Sequence, residues 1–136
     1  MTEPLDEGTL AFARQVFDLA REGSTEELTE VVDAGVPVDL TTASGDTLLL
    51  LAAYHDHPGT VRALLERGAD PARVNDRGQT PLAAAVFRRS AESVSALLRA
   101  GADRDHGSPS ARETAVFFEL PEMTALLGAG PAAGAG

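Results

Sequence analysis

The chain has 136 residues, the length of a single domain, and 43% of them are apolar, enough to bury a core. Its formal net charge of −10 sets it against phosphate backbones and anionic membranes as partners. The absence of cysteine excludes disulfides, thiolate metal sites and a thiol nucleophile.

Met1 to Gly8 is acidic and no apolar run follows it, so no secretory leader is read there. The longest apolar run, Leu48 to Ala53, is far too short to cross a bilayer. Together these point to a cytoplasmic protein. Charge is unevenly spread: residues 1–46 hold eleven acids against Arg14 and Arg21, whereas residues 47–136 hold ten acids against nine arginines. Aromatics are only 4% of the chain, so the core must be built from Leu, Val and Ala.

The chain repeats itself. Leu64-Leu65-Glu66-Arg67-Gly68-Ala69-Asp70 and Leu97-Leu98-Arg99-Ala100-Gly101-Ala102-Asp103 align at an offset of 33, as do Gly45 with Gly78, Thr47 with Thr80 and Val61 with Val94. The same offset runs backwards to Leu28, Val31, Val32 and Gly35. A fourth copy aligns at an offset of 29, which sets Gly107 on Gly78, Met123 on Val94, and Leu126 and Leu127 on Leu97 and Leu98. This divides residues 5–130 into four units, at about 5–40, 41–73, 74–104 and 105–130, with residues 1–4 and 131–136 read as disordered tails.

Taken in chain order, each unit carries helix signals. In the first, Leu28, Val31 and Val32 form an apolar stripe at helical spacing, and Ser24 with Glu27 has the spacing of a capping box. Glu26, Glu27, Glu30 and Asp33 fall on the opposite, solvated face, so no acid–base pair is read there. In the second, His57 stands in the column of Ser24 and precedes Pro58, which marks it as a helix cap. In the third, Thr80-Pro81 opens one helix and Ser90 caps the next. Gly35, Gly68 and Gly101 follow the stripes, where a helix stops in a left-handed residue.

Gly78-Gln79-Thr80-Pro81-Leu82-Ala83-Ala84-Ala85 resembles the G-x-T-P-L-H-x-A signature of the ankyrin repeat, and Gly68-Ala69-Asp70 and Gly101-Ala102-Asp103 resemble its G-A-D loop. The resemblance covers about residues 9–130. The signature histidine is replaced by Leu50 and Ala83, and the first unit keeps almost none of the signature. What it implies is an all-α solenoid of four helix-turn-helix repeats with hairpin-like loops: two full central repeats between degenerate capping ones.

The resemblance also implies a concave side lined by loop tips and by the last residues of each first helix. Carried over by register, these are Ala43, Ser44, Asp46, Tyr54 and His55 in the second unit, and Asp76, Arg77, Gln79, Phe87 and Arg88 in the third. Tyr54 and Phe87 lie 33 apart and should be neighbours on adjacent repeats. Two readings of Phe87 stand side by side: an anchor for a partner, or a packing residue against Phe117 and Phe118 of the last unit.

Chemistry is sparse. His55-Asp56-His57 lacks metal-ligand spacing, and there is no nucleophile elbow, phosphate-cradling loop or dinucleotide fingerprint. Arg88-Arg89 is too small a patch for nucleic acid. The expected protein is therefore not an enzyme and holds no cofactor or metal. It is a monomeric adaptor or regulator that binds another protein, and neither nucleic acid nor membrane. A second reading, given the histidines, is an accessory protein that handles haem for an oxidative-stress enzyme such as a catalase.

Overall fold

In a computed structural model, which describes residues 7–128, the apolar stripes become eight helices. They are α1 (Glu7–Glu22), α2 (Thr25–Asp33), α3 (Leu48–Tyr54), α4 (Pro58–Glu66), α5 (Pro81–Phe87), α6 (Ala91–Arg99), α7 (Ala111–Phe117) and α8 (Pro121–Leu127). Each expected unit holds one antiparallel pair. The outermost residues of the expected domain and both expected tails lie outside the described residues.

The helices stack in two layers. One is α1, α3, α5 and α7; the other is α2, α4, α6 and α8; each helix also packs on the partner in its own pair. Inner helices α3 and α5 have neighbours on three sides, and every residue but the last of each is buried. The core runs unbroken through Val16, Leu28, Leu49, Leu64, Leu82, Leu97 and Leu127. Burying one such leucine contributes about 1.5–3 kcal/mol, which is what offsets the ordering of helices too short to stand alone.

Local signals set the ends. Thr47, Thr80, Ser90 and Ser110 accept hydrogen bonds from the backbone N–H three residues on, each cap contributing about 1 kcal/mol. Glu113 returns the bond to the Ser110 N–H at 2.8 Å, completing a capping box. The box expected at Ser24 and Glu27 does not form: the Ser24 side chain makes no capping bond. At the other end, Gly35, Gly68 and Gly101 have φ of +124°, +89° and +95°, and the N–H after each reaches back to the helix, as Val36 does to the Val31 carbonyl.

The last pair sits one residue away from its expected register. Gly107 aligns with Gly78 at 29, but the caps Thr80 and Ser110 are 30 apart, because Pro109 is an extra residue in the loop. Left-handed turn residues agree: Asp56, Arg89 and Glu119 are spaced 33 and then 30. Leu127 therefore takes the buried place of Leu97, and Leu126 is left partly exposed.

His57 also departs from expectation. It begins α4, but its ring does not cap the helix. Instead Nε2–H donates to the Arg21 carbonyl at 2.7 Å, and the ring occupies the space where a Cβ on Gly23 would stand, 2.5 Å from Nδ1. The side chain thus ties the second pair to the first, beside a Thr25–Thr60 hydroxyl contact of 2.6 Å.

On the opposite side, the loop tips are stitched together. Asn75, buried to 5% exposure, accepts from the Arg77 and Gln79 N–H groups, both at 2.9 Å, and its amide donates to Asp46 Oδ1 at 2.8 Å and Gln79 Oε1 at 2.7 Å. The Asp76 N–H donates to the Ser44 carbonyl and the Ser108 N–H to the Gly78 carbonyl, so successive loops are linked edge to edge.

Two stability outcomes follow from these ties. Asn75→Ala removes the hydrogen bonds of two N–H groups, the Asp46 carboxylate oxygen and the Gln79 amide oxygen, and should cost about 1–3 kcal/mol in urea unfolding. His57→Ser should lower stability by about 1 kcal/mol, since the bond to Arg21 is lost. An unchanged or raised stability in His57→Ser would return that residue to a capping role.

Candidate functional site

Helices α3 and α5 bury every residue but the last, so Tyr54 and Phe87 emerge together at one edge of the layer. Tyr54 ends α3, Phe87 ends α5 and Phe117 ends α7, with Phe118 as the α7 cap. Tyr54 and Phe87 lie parallel, ring centroids 6.4 Å apart with an interplanar angle of 3°. Phe87 meets Phe118 edge-on at 5.3 Å, and Phe118 meets Phe117 at 4.9 Å. His55 closes the other end, edge-on to Tyr54 at 5.3 Å. Phe87 packs on the last repeat and still keeps 44% of its surface exposed, much like Tyr54 at 46% and Phe118 at 47%.

This ladder forms one side of a groove of about 580 Å³. Leu50, Leu51, Ala83, Ala84 and Thr114, all nearly buried, make the base, and loop residues Asp46, Arg77, Gln79 and Pro109 make the far side. Of the residues expected from the sequence, Asp46, Tyr54, His55, Arg77, Gln79 and Phe87 line this groove. Ala43, Ser44, Asp76 and Arg88 are exposed but stand outside it, the first three at loop tips and Arg88 just past Phe87.

Several groove residues were not read from the sequence. Arg21, 33 residues before Tyr54, occupies the aromatic column in the first unit; Phe118 stands one position past that column in the last unit, since Phe87 maps to Phe117 at the spacing of 30. Asn75, which positions Asp46 and Gln79 from behind, carries no signal beyond its rarity.

Charge in the groove is set by a few side chains. The His55 pKa is lowered, first by burial and then by the nearby basic side chains Arg21, His57 and Arg88. Arg62, Arg67 and Arg112 are ion-paired on other surfaces, with Glu92, Asp33 and Asp105. Arg77 and Arg88 make no ion pair or side-chain hydrogen bond among the described residues. His57 and His106 both engage backbone carbonyls through Nε2, at Arg21 and Ala72. No group of three or more potential metal ligands converges among the described residues, and no described helix is long and apolar enough to cross a membrane.

The arrangement is matched by known proteins. The family model for ankyrin repeats, in three copies, matches residues 16–107. The ankyrin repeat protein PA3287 of Pseudomonas aeruginosa is 47% identical over 58 residues, which are 43% of this chain and 34% of that protein. Human neurogenic locus notch homolog protein 4 is 39% identical over 84 residues, 61% of this chain and 4% of its own length. The chain thus spans about a third or less of the curated relatives it matches. The crystal structure of the human ASB11 ankyrin repeat domain superposes with a TM-score of 0.75 at 31% identity, covering 82% of this chain and 52% of that one. With the repeat, its glycine stops and its paired helices all in register, the chain belongs to the ankyrin-repeat family.

Proposed function

We propose that this protein is a non-enzymatic adaptor or regulatory module that binds a protein partner in the concave groove beside Tyr54, Phe87 and Phe118. Ankyrin repeats are in general protein-interaction modules. The observation that carries the reading here is the aromatic ladder. Three large rings remain half exposed at one edge, in contact with one another, where the repeat core needs only small residues. Exposed apolar groups grouped in this way favour association, and aromatic side chains beside a polar rim are the usual anchors of protein interfaces. Asp46, Arg77 and Gln79 supply that rim, with Asp76, Arg88 and His55 at its margins.

The test is affinity capture from the source organism with wild-type protein and with Tyr54→Ala and Phe87→Ala, followed by binding measurements on the captured protein. Each variant should weaken binding by about 1–2 kcal/mol or more. Folding stability should fall by only about 1 kcal/mol for Phe87→Ala, the scale of its ring contacts with Tyr54 and Phe118. A stability loss near 3 kcal/mol would make Phe87 a core residue and remove it from the site. His55 is the histidine whose ring makes no hydrogen bond among the described residues, and it faces the groove. A haem titration that gives a Soret shift lost in His55→Ala would instead favour the accessory role for an oxidative-stress enzyme such as a catalase.

A further inference from the structure

The base of the groove is uneven, and the repeat register shows where. At the two columns facing the groove, α3 carries Leu50 and Leu51, while α5, 33 residues on, carries Ala83 and Ala84. The next helix presents Thr114 in the column of Ala84 at the 30-residue spacing of the last pair. The middle helix therefore lacks the leucine side chains that its neighbour has at both columns. Its base forms a pit, bounded by Leu50 and Leu51, Thr114, the Phe87 ring, and Gln79 and Arg77 on the loop side. Inside a core, a void of this kind is unfavourable because its lining atoms lose contacts. Here it opens into the groove, where an incoming side chain can supply those contacts.

The polar rim of the pit offers donors. Gln79 spends its carbonyl oxygen on Asn75 Nδ2, which fixes the amide and leaves its nitrogen as a donor with no partner among the described residues. Arg77 has no carboxylate partner, although the chain as a whole carries a charge of −10. Neither acid of the adjoining loop tips, Asp46 or Asp76, forms an ion pair with it. Asp46 accepts from Asn75, and the Asp76 carboxylate lies against the neighbouring loop, 2.9 Å from where a Cβ on Gly45 would stand. An apolar hole with a guanidinium and an oriented amide at its edge is complementary to an apolar side chain next to a carboxylate.

We infer that the partner lays an extended segment in the groove, with a bulky apolar side chain in the pit over Ala83 and Ala84 and an adjacent Asp or Glu carboxylate on Arg77. This rests on the groove being the binding face, and it names what that face selects. Specificity comes from the two alanines and the arginine together. A basic residue next to the apolar anchor is rejected by Arg77.

The probe is a phage-displayed library of random linear peptides selected on the intact chain, with the enriched peptides synthesised and their affinities measured by fluorescence anisotropy. Enriched peptides should pair Leu, Met, Phe or Trp with a nearby Asp or Glu. Ala84→Leu should fill the pit and weaken them by about tenfold or more. It should keep the melting curve, because α3 carries leucine at the same column. Ala83→Leu is the second variant should Ala84→Leu fold poorly. Arg77→Glu should weaken the acidic peptides by about tenfold and bind their lysine-substituted versions better than the wild type does. Peptides that lose affinity in Tyr54→Ala but keep it in Ala84→Leu and Ala83→Leu would overturn the pit while leaving the groove as the binding face. Peptides without acidic residues, or indifferent to Arg77→Glu, would overturn the carboxylate. No enrichment, or peptides indifferent to Tyr54→Ala, would overturn the pit and the groove together.

Discussion

The structure depends on one constraint: no helix pair in this chain can cover its own apolar surface. Helix α3 is seven residues long and contains only Leu, Ala and Tyr, so it has neither the length to persist alone nor a polar face to show to water. It is stable because α1 and α5 flank it and α4 backs it. The same holds one step along for α5, between α3 and α7. Stability is thus shared between neighbours along the stack, and each contact surface is used once as base and once as cover.

That constraint also locates the groove. When a short helix is enclosed on three sides, only its last residue reaches solvent. In successive pairs, these last residues stand one above the other. Tyr54 and Phe87 stack for this reason, and Phe118 joins them from one position past the end of α7, meeting the Phe87 ring edge-on. The opposite side is held differently, through polar contacts: Asn75 spends both its acceptor and its donors on the loop, and backbone bonds run from one tip to the next. A groove with one side fixed by ring packing and the other by buried hydrogen bonds is largely preorganised, which lowers the ordering cost of binding.

Where a neighbour is missing, the same columns change character. Val86 is fully buried because α7 covers it, whereas Val116, its counterpart in the last pair, is 66% exposed, with nothing among the described residues over it. At the other end, α1 is longer than its counterparts and shows acidic residues such as Glu7, Asp18 and Glu22 to solvent. Identical columns therefore do not guarantee identical environments; position in the stack decides which apolar residues are core.

The repeat, the glycine stops, the caps at Thr80 and Ser90 and the pairing of Tyr54 with Phe87 were legible in the sequence, because a constant offset along the chain becomes a constant translation in space. Six of the ten residues expected on the concave side line the groove for the same reason. What failed was whatever depended on a different repeat or on a change in that translation. Leu126 and Leu127 are chemically alike, so apolar pattern could not separate an offset of 29 from one of 30, and only the cap at Ser110 and the turn at Glu119 reveal the residue added by Pro109. His57 has the position of a cap, but its ring is drawn away by the Arg21 carbonyl and by the space that Gly23 leaves, both in the preceding unit. Phe87 was open between anchor and packing residue, and tertiary structure made it a partner of Tyr54 and of Phe118 at once. Local propensity and periodicity determine which helices form and how often. Which side chains meet across the stack is decided by contacts between residues some thirty positions apart, and these exist only when the repeats are assembled.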